Sequence, residues 1–518
     1  MKTINALLII TILVSMIGCS ETKKELNLGE AYLKVELISS EISNDENSNN
    51  QNQKASVDIT EKVEAKVKFS QTSEVAYEFE REKLKSPNNR ILKGSQKAAI
   101  ERNPLGEGIK YVLLAYDESG NFVAENYYSY GSENSTQPMK LDAGKTYTFI
   151  AYSENSKTSL PTIVNKEKIS TSKALNVSGD LMVFKTKLKL NYGENFLGII
   201  LKHRFSSITT NFTIDPNTSG YFKTINNTYI FPTHSSANFN FNDETIVYNS
   251  LNQNGTLLNF PTLQLDQRTV SSYPSILISP TTSTASLRFG SITIDDETKT
   301  NFIVPNIKIT PGTKYILKLN FRTCTETVGN VQGMNWSYAE AFDWLGRSGI
   351  WKDGKFYLRG ETISQTITAP ASDYGFVFDI TKLDNAFNME LNGVKLAKNE
   401  IQFEKGASSS QNIRFKDLSL YQGINSEGGN NIGAIYNMTG TSSAPLVKVV
   451  ISKNGEVRIF GSKVSGGPLY ELELFNNNSF NNFPWDKTKN NVIKVTQLVD
   501  GRTILIGSGS GKKKISCK

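Results

Sequence analysis

The residue types that most often carry out catalysis are scarce in this chain of 518 residues. It has two histidines, His203 and His234, and neither has a cysteine or an acidic neighbour at the spacing of a metal site.

The segment GSGSGKKK, residues 507–514, looks like a phosphate-binding loop. However, Ile506 stands where the motif needs its first glycine, and Lys513 replaces the serine or threonine that would hold magnesium. The sequence therefore predicts a protein that is not an enzyme and that has neither a cofactor nor a metal site.

Two of the three cysteines, Cys324 and Cys517, bracket the C-terminal part of the chain. Outside the cytoplasm, an even number of remaining cysteines favours a disulfide. Closing a loop of ~190 residues would stabilise the fold by at most about 5 kcal/mol through the lost entropy of the unfolded chain. Two unrelated buried thiols are the alternative. We predict a Cys324–Cys517 disulfide.

The third cysteine, Cys19, ends an apolar N-terminal segment. Residues 6–17 are too short to span a bilayer, which takes ~20 residues, and Lys2 precedes them as in a secretory signal peptide. The tetrapeptide Met16-Ile17-Gly18-Cys19 resembles a bacterial lipobox, in which cleavage before the cysteine is coupled to its lipidation. The alternative is an ordinary signal peptide with an unmodified cysteine. The prediction is a signal peptide over residues 1–18 and a lipid anchor, including palmitate, on Cys19.

All four tryptophans lie towards the C-terminus of the chain. Exposed aromatic side chains can stack on sugars or form the centre of a protein interface, so Trp336, Trp351 and Trp485 are candidate ligand-binding residues. The alternative is that they fill the core of a β-sandwich. We expect Trp344 to be buried, whereas Trp485 lies in an asparagine-rich loop that should be exposed.

The charge of the chain argues against a nucleic-acid partner. The formal net charge is +7, and the signal peptide accounts for one of these charges. Lys512, Lys513, Lys514 and Lys518 supply four more, so the rest of the chain is close to neutral. A nucleic-acid-binding protein would concentrate basic residues on a folded face. The apolar fraction of 38% is low, which is typical of a β-rich extracytoplasmic protein with long polar loops.

Residues 19–55 are predicted to form a flexible tether. The stretch from residue 39 to residue 56 has almost no apolar content and cannot bury enough surface to fold. The alternating segment YLKVELIS, residues 32–39, is the exception, because it could form a short strand.

From residue 56 onwards the chain reads as a series of strands. The segment KYVLLAY, residues 110–116, is apolar on both faces, as expected for a central strand. A glycine followed closely by a tyrosine opens a strand near residue 143 and again near residue 311. This repetition predicts two similar β-sandwiches in series, over residues 56–188 and 189–322.

Several segments carry a family resemblance. LGIILKHRFSSITTNFTID, residues 197–215, resembles the apolar-Lys-His-x-Phe-Ser segment that opens the second sandwich of Bacteroidota fimbrillins. DLMVF, residues 180–184, sits where that family has a similar apolar motif, and TYTFIAYSEN and PGTKYILKLNF resemble its recurring strands. The resemblance covers residues 56–322. It implies two transthyretin-like β-sandwich domains in a fimbrial lipoprotein, anchored at the outer membrane or cell surface of a Gram-negative bacterium.

The C-terminal module, residues 323–518, is not explained by that resemblance. WSYAEAFDWLG, residues 336–346, predicts one short helix, because it has capping-box spacing, an apolar stripe and a terminal glycine. Four Asn-Gly or Asp-Gly dipeptides follow, and such dipeptides favour type I′ hairpin turns. They begin at Asp353, Asn392, Asn454 and Asp500. We therefore predict a mainly β protein that ends in a hairpin-rich β-sandwich or jelly-roll module.

These features favour a surface-anchored structural or adhesive lipoprotein that is an accessory or tip subunit of a fimbria. Its expected partners are the membrane, through the lipid anchor, and other fimbrial subunits, through strand addition. The alternative is a carbohydrate-binding surface lipoprotein, in which the fimbrillin-like half is a stalk and the tryptophan-rich module binds host or bacterial glycans. An enzyme acting on polysaccharide would need a convergent carboxylate pair, which a sequence does not reveal.

The tip position follows from the chain end. A shaft subunit of the fimbrillin type is expected to donate its own C-terminal segment to a neighbour, whereas here a long module and the Cys324–Cys517 bond leave no free tail. Accepting a strand would require cleavage after a basic residue, and Arg90, in the polar segment SPNNRILKG, is the predicted processing site. A plain exposed loop explains Arg90 equally well.

Overall fold

The computed structural model describes most of the chain, namely residues 29–41, 63–82, 102–103, 105–404, 411–422, 432–475 and 478–518. Cys19, the signal peptide and Arg90 therefore lie outside the described residues. Within the described ranges the regular structure is almost entirely β-strand, with two 3₁₀ turns at Glu133–Ser135 and Ile435–Asn437. The predicted mainly β fold class is confirmed. Among the described residues no helix has the length and apolar character needed to cross a membrane.

The strands are numbered in chain order. The first twelve are β1 (Glu30–Glu41), β2 (Val63–Lys68), β3 (Ser73–Arg81), β4 (Arg102–Asn103), β5 (Lys110–Tyr116), β6 (Phe122–Ser129), β7 (Met139–Asp142), β8 (Thr146–Ser153), β9 (Thr162–Val164), β10 (Lys173–Val177), β11 (Met182–Lys189) and β12 (Gly193–His203). The next twelve are β13 (Ser206–Ile214), β14 (Phe222–Phe231), β15 (Thr233–His234), β16 (Ala237–Asn240), β17 (Ile246–Tyr248), β18 (Leu251–Asn252), β19 (Thr256–Leu257), β20 (Thr269–Ser271), β21 (Ser275–Leu277), β22 (Thr282–Ile294), β23 (Glu297–Ile309) and β24 (Lys314–Thr323). The last fifteen are β25 (Thr325–Tyr338), β26 (Ala341–Phe342), β27 (Ser348–Lys352), β28 (Lys355–Leu358), β29 (Thr362–Ala369), β30 (Phe376–Leu383), β31 (Ala386–Leu391), β32 (Val394–Lys395), β33 (Ile401–Gln402), β34 (Ile413–Phe415), β35 (Val447–Ile451), β36 (Val457–Ser462), β37 (Leu469–Leu474), β38 (Asn491–Leu498) and β39 (Thr503–Lys514).

The chain divides into two compact units. Of the described residues, unit 1 comprises those within 1–41, 100–204 and 237–247, and unit 2 comprises those within 42–99, 205–236 and 248–518.

Unit 1 is built on an eight-stranded sheet with the order β4-β1-β12-β11-β8-β5-β6, in which β7 also pairs with β1. β1 runs parallel to β12, with Ala31 opposite Gly193. Its alternate residues Ala31, Leu33 and Leu37 are buried in the core of this unit. The central strand β5 is buried on both faces, as predicted. A four-stranded sheet, β17-β16-β10-β9, completes the unit.

Unit 2 contains a β-sandwich followed by the C-terminal module. In the sandwich, a six-stranded sheet with the order β2-β3-β24-β13-β20, to which β21 is added at β13, faces the sheet β19-β14-β22-β23. The rings of Phe212 and Phe289 meet between these two sheets, with centroids 5.2 Å apart. Tyr315, Leu317 and Leu319 of β24 point into this core, as their alternation with polar residues predicts.

The C-terminal module is a second sandwich with a separate core. A seven-stranded sheet, β25-β39-β30-β35-β36-β37-β34, packs against the sheet β29-β38-β31-β32, to which β33 is added at β31. Phe378 from the first sheet and Ile363, Met389 and Ile493 from the second lie in one hydrophobic cluster. The three strands β26-β27-β28 form a small additional sheet.

The predicted helix over residues 336–346 is wrong. Trp336 to Tyr338 continue β25, which pairs antiparallel with β39, and residues 343–347 form the turn between β26 and β27. Long-range strand pairing overrides the local helix signal, because burying Trp336 in the sandwich core stabilises more than one isolated helical turn would. Two of the four dipeptides, at Asp353 and Asn392, have positive φ at both residues as a type I′ turn requires, whereas at Asn454 and Asp500 only the glycine does.

The sandwich boundaries also differ from those predicted. β12, which ends at His203, belongs to unit 1, beyond the boundary expected near residue 188. The strand β3 pairs with β24, and β2 pairs with β3, so both belong to the second sandwich. The tether expected over residues 19–55 includes the ordered strand β1. Alternation of side chains identifies a strand but does not identify its pairing partner, which is why these boundaries moved.

Candidate functional site

The last strand of the chain, β39, lies inside the seven-stranded sheet. It pairs with β25 on one side and with β30 on the other. Its glycines leave room for side chains of the neighbouring strand β30, since a Cβ atom on Gly509 would lie 2.2 Å from the ring of Phe376. The segment GSGSGKKK, which looked like a phosphate loop, is therefore an internal strand of a sandwich.

The chain end beyond β39 is fastened to the neighbouring sandwich of the same unit. Cys324 and Cys517 form the predicted disulfide, with their Cα atoms 5.4 Å apart. The Cys517 N–H donates to the carbonyl oxygen of Gln71 at 2.8 Å, and the Cys324 N–H donates to that of Thr72 at 2.9 Å. The C-terminus is thus held by one covalent bond and by backbone hydrogen bonds to the turn between β2 and β3.

Glu74 lies beside the disulfide and is buried. One of its carboxylate oxygens lies within 4.8 Å of both cysteine sulfurs. Because these sulfurs are bonded to each other, they are not free thiolates that could hold a metal ion. The partners of Glu74 are instead the Arg322 guanidinium and, at 3.7 Å, the Lys66 ammonium.

A cavity of about 250 Å³ lies next to the disulfide, between the second sandwich and the C-terminal module of unit 2. Its walls combine hydroxyl groups, charged groups of both signs and an apolar part. The hydroxyl-bearing residues are Thr72, Ser73, Thr218, Ser219, Thr323 and Tyr374. The charged residues are Glu74, Asp295, Asp296, Glu297, Arg322, Lys453 and Lys514, and the apolar residues are Phe69, Ile294 and Phe321.

Tyr374 fixes the shape of this cavity. Its hydroxyl accepts a hydrogen bond from the Ser219 N–H at 2.8 Å and donates one to Thr323 Oγ1 at 2.9 Å. The Thr323 N–H in turn donates to Thr218 Oγ1 at 2.7 Å. The Lys514 ammonium lies 5.3 Å from the centre of the Tyr374 ring. The wall is therefore held in place by a chain of hydrogen bonds between the two halves of unit 2.

The acidic side of the cavity is already paired. Lys453 Nζ lies 3.8 Å from carboxylate oxygens of both Asp295 and Asp296. Hydrogen bonding and charge attraction from Lys223, together with the charge of Lys453, lower the pKa of Asp296. The Ser73 hydroxyl donates to Glu297 Oε2 at 2.9 Å. The rim therefore offers fixed charges of both signs without a large excess of either.

The structure separates the predicted ligand-binding tryptophans. Trp336 is 1% exposed in the core of the C-terminal module, so its prediction as a ligand-binding residue is wrong. Trp485 packs against the same core and donates its indole N–H to the carbonyl oxygen of Ser372 at 3.0 Å, so it is not the exposed loop residue that was expected. Trp351 is 56% exposed, and Trp344, which was expected to be buried, is 89% exposed at the tip of a hairpin.

The two histidines are engaged in local contacts. His203 is largely buried in unit 1, and its Nδ1 lies 2.7 Å from Asp180 Oδ1. In unit 2, His234 Nδ1 lies 2.7 Å from the carbonyl oxygen of Asn249. These contacts orient both rings within the fold.

Three carboxyl groups inside the C-terminal module were not anticipated. Burial raises the pKa of Asp384 to about 6 and those of Glu400 and Glu404 to about 7. Asp384 Oδ1 accepts a hydrogen bond from Gln497 Nε2 at 2.7 Å, and Glu404 Oε1 accepts one from the Tyr436 N–H at 3.2 Å. All three acids lie outside the strands, in segments that read as ordinary polar connections. The sequence therefore contains no signal that separates them from solvated acids.

The chain is similar to one protein family and to several solved structures. A profile of the fimbrillin-like family matches residues 107–336. No curated protein matches the chain. A solved candidate cell adhesion protein from Bacteroides fragilis is similar at 11% identity and a TM-score of 0.33, over 58% of this chain and 99% of that one. A candidate adhesin from Bacteroides thetaiotaomicron is similar at 14% identity and a TM-score of 0.28, over 38% of this chain and 73% of that one. The fimbrillin-like resemblance predicted from the sequence is thereby confirmed for residues 107–336.

Proposed function

We propose that this protein is an adhesive lipoprotein of the bacterial surface that occupies one end of a fimbria. The unprocessed protein is anchored through Cys19 at the outer membrane or cell surface of a Gram-negative bacterium, and after cleavage it joins other fimbrial subunits by strand addition. The fimbrillin-like match supports the fimbrial assignment. The locked C-terminal strand is the observation that supports the terminal position.

Strand addition requires a donor segment that is free to leave its own subunit. Here β39 would have to break its pairing with both β25 and β30, and it would uncover the core that these strands share. The Cys324–Cys517 bond also ties the end of the chain to the second sandwich. In a subunit built in this way β39 is not free to be donated, which supports a position at one end of the fimbria.

The accepting groove would be the position of β1. This strand lies between β4 and β12, and the chain reaches Arg90 only after completing β3. Cleavage at Arg90 would therefore disconnect β1, β2 and β3 from the rest of the chain and leave them held by pairing alone. Loss of β1 would then expose the unpaired backbone groups of β12 to an incoming strand.

Treatment of the purified protein with an arginine-specific protease tests this assignment. We expect cleavage at Arg90 and a product that stays monomeric in size-exclusion chromatography and in denaturing gels without boiling. The matched control is Arg90→Ala, which should remain uncut at this position. Long polymers of the protein alone would contradict the terminal position, because they would require β39 or another segment to be donated.

The lipid anchor is tested separately. Replacing Cys19 with alanine should abolish incorporation of a palmitate analogue in cells and should release the protein from membranes. Ser20→Ala is the control and should be labelled normally. Continued labelling of the Cys19→Ala protein would contradict the anchor.

A further inference from the structure

The size of the cavity beside the disulfide limits what it can hold. Pockets for drug-sized ligands usually measure about 300–1,000 Å³, whereas this one measures about 250 Å³. It therefore suits a compact ligand of one ring. Asp296, at one side of the cavity, is 72% exposed, so the cavity is reached from solvent along this rim.

The lining limits the chemistry of the ligand. Phe69, Ile294 and Phe321 provide apolar contact, since each is buried and carries no polar side-chain atom. Hydroxyl groups and paired charges surround this apolar part and supply both donors and acceptors of hydrogen bonds. An anionic ligand would be repelled by four carboxylates, and a cationic ligand by three basic groups. A neutral ligand therefore has the smallest unfavourable free energy of entering the cavity.

A neutral sugar ring matches all of these properties, because it has an apolar C–H face and hydroxyl groups that both donate and accept. We propose that this cavity binds a single neutral, hexose-sized glycosyl unit and provides the ligand contact of the adhesive protein. The inference rests on the adhesive role proposed above and identifies the class of ligand for it. It also places glycan recognition at the junction with the second sandwich rather than on the tryptophans.

Two side chains at the rim make suitable test positions. Asp296→Asn removes a carboxylate that is mostly solvent-exposed, and Lys514→Met removes the ammonium group above the Tyr374 ring. The matched control is Lys513→Met, since Lys513 is the exposed neighbour of Lys514 and does not line the cavity. Trp351→Ala tests the competing aromatic surface.

The experiment is saturation-transfer NMR of the full mature protein with glucose, galactose, mannose, N-acetylglucosamine and N-acetylneuraminic acid, followed by calorimetric titration of the sugar with the largest effect. We expect a neutral sugar to bind, and its Kd to rise at least tenfold in Asp296→Asn and Lys514→Met but less than twofold in the two other variants. Thermal unfolding of each variant establishes that the fold is intact.

Three results would overturn the inference: no sugar binds, only the anionic sugar binds, or Trp351→Ala alone weakens binding. Retained affinity in both rim variants would overturn it as well. None of these results would affect the protease experiment, which measures assembly and not ligand binding, so failure of this inference is distinguishable from failure of the proposed function.

Discussion

Replacing Cys324 and Cys517 together by serine should destabilise unit 2 without changing its fold. The bond joins residues that are 193 positions apart in sequence. Loop-closure entropy for a loop of ~190 residues gives about 5 kcal/mol at 25 °C as the upper value, and loss of a native disulfide typically costs about 2–5 kcal/mol. The backbone hydrogen bonds of both cysteines to the turn before β3 do not depend on the sulfur atoms and should persist.

Differential scanning calorimetry measures this loss. A loss of about 3 kcal/mol corresponds to a fall in Tm of roughly 4–5 °C for a folding unit as large as unit 2, at an unfolding entropy of about 2.1 cal/mol/K per residue. The matched control is the protein that keeps Cys324 and Cys517, measured in dithiothreitol, which should melt at the same lowered temperature as the double variant. The reductant should leave the Tm of the double variant unchanged. Cys19 is replaced by alanine in all samples, so that no third thiol contributes.

The reasoning would be refuted if the double variant melted at the temperature of the oxidised protein. It would also be refuted if the variant formed polymers after protease treatment, because β39 should remain paired with β25 and β30 when the bond is absent. The disulfide would then be the main barrier to strand donation, rather than the position of β39 inside the sheet.

Three further predictions concern the C-terminal module. Trp336→Ala should lower the free energy of unfolding by about 3–5 kcal/mol in denaturant titrations, whereas Trp344→Ala should change it by less than about 0.5 kcal/mol, and equal effects would contradict their assigned burial. Because burial raises the pKa of Glu404 from 4.5 to about 7, the folded state keeps a proton that the unfolded state releases, and stability should fall as pH rises through this range. Glu404→Gln should therefore raise Tm at pH 8 but not at pH 4, and an unchanged pH profile would contradict the shift. Gly455→Ala should cost about 1–2 kcal/mol for its positive φ and about 1–3 kcal/mol more for a Cβ atom only 1.7 Å from a backbone oxygen. Gly354 has open space around it, so Gly354→Ala should show only the cost of the positive φ. Equal Tm values for the two variants would count against the predicted clash at Gly455.

The sequence determined the features that depend on local pattern and composition. Alternation of side chains identified the buried face of β24, and a run that is apolar on both faces identified the central strand β5. An even number of remaining cysteines pointed to the Cys324–Cys517 bond. These signals are reliable because a half-buried strand requires a period of two, whichever strand lies beside it.

Other features were beyond the reach of the sequence, because they depend on which distant strands pair. The residues around Trp336 have helical spacing, but pairing with β39 made them a strand. The same pairing, together with that of β39 and β30, placed GSGSGKKK inside a sheet. The strands before Arg90 were divided between two units by their partners β12 and β24.

The candidate site is also a feature that only the tertiary structure decided. The walls of the cavity come from segments near residues 70, 220, 295, 322, 374, 453 and 514, and no motif in the sequence marks these segments as parts of one site. Burial likewise raised the pKa values of Asp384, Glu400 and Glu404, although their sequence surroundings resemble those of solvated acids. Only the tertiary fold decides which polar groups share one enclosed space, because the free energy of burial depends on neighbours that are remote in the chain.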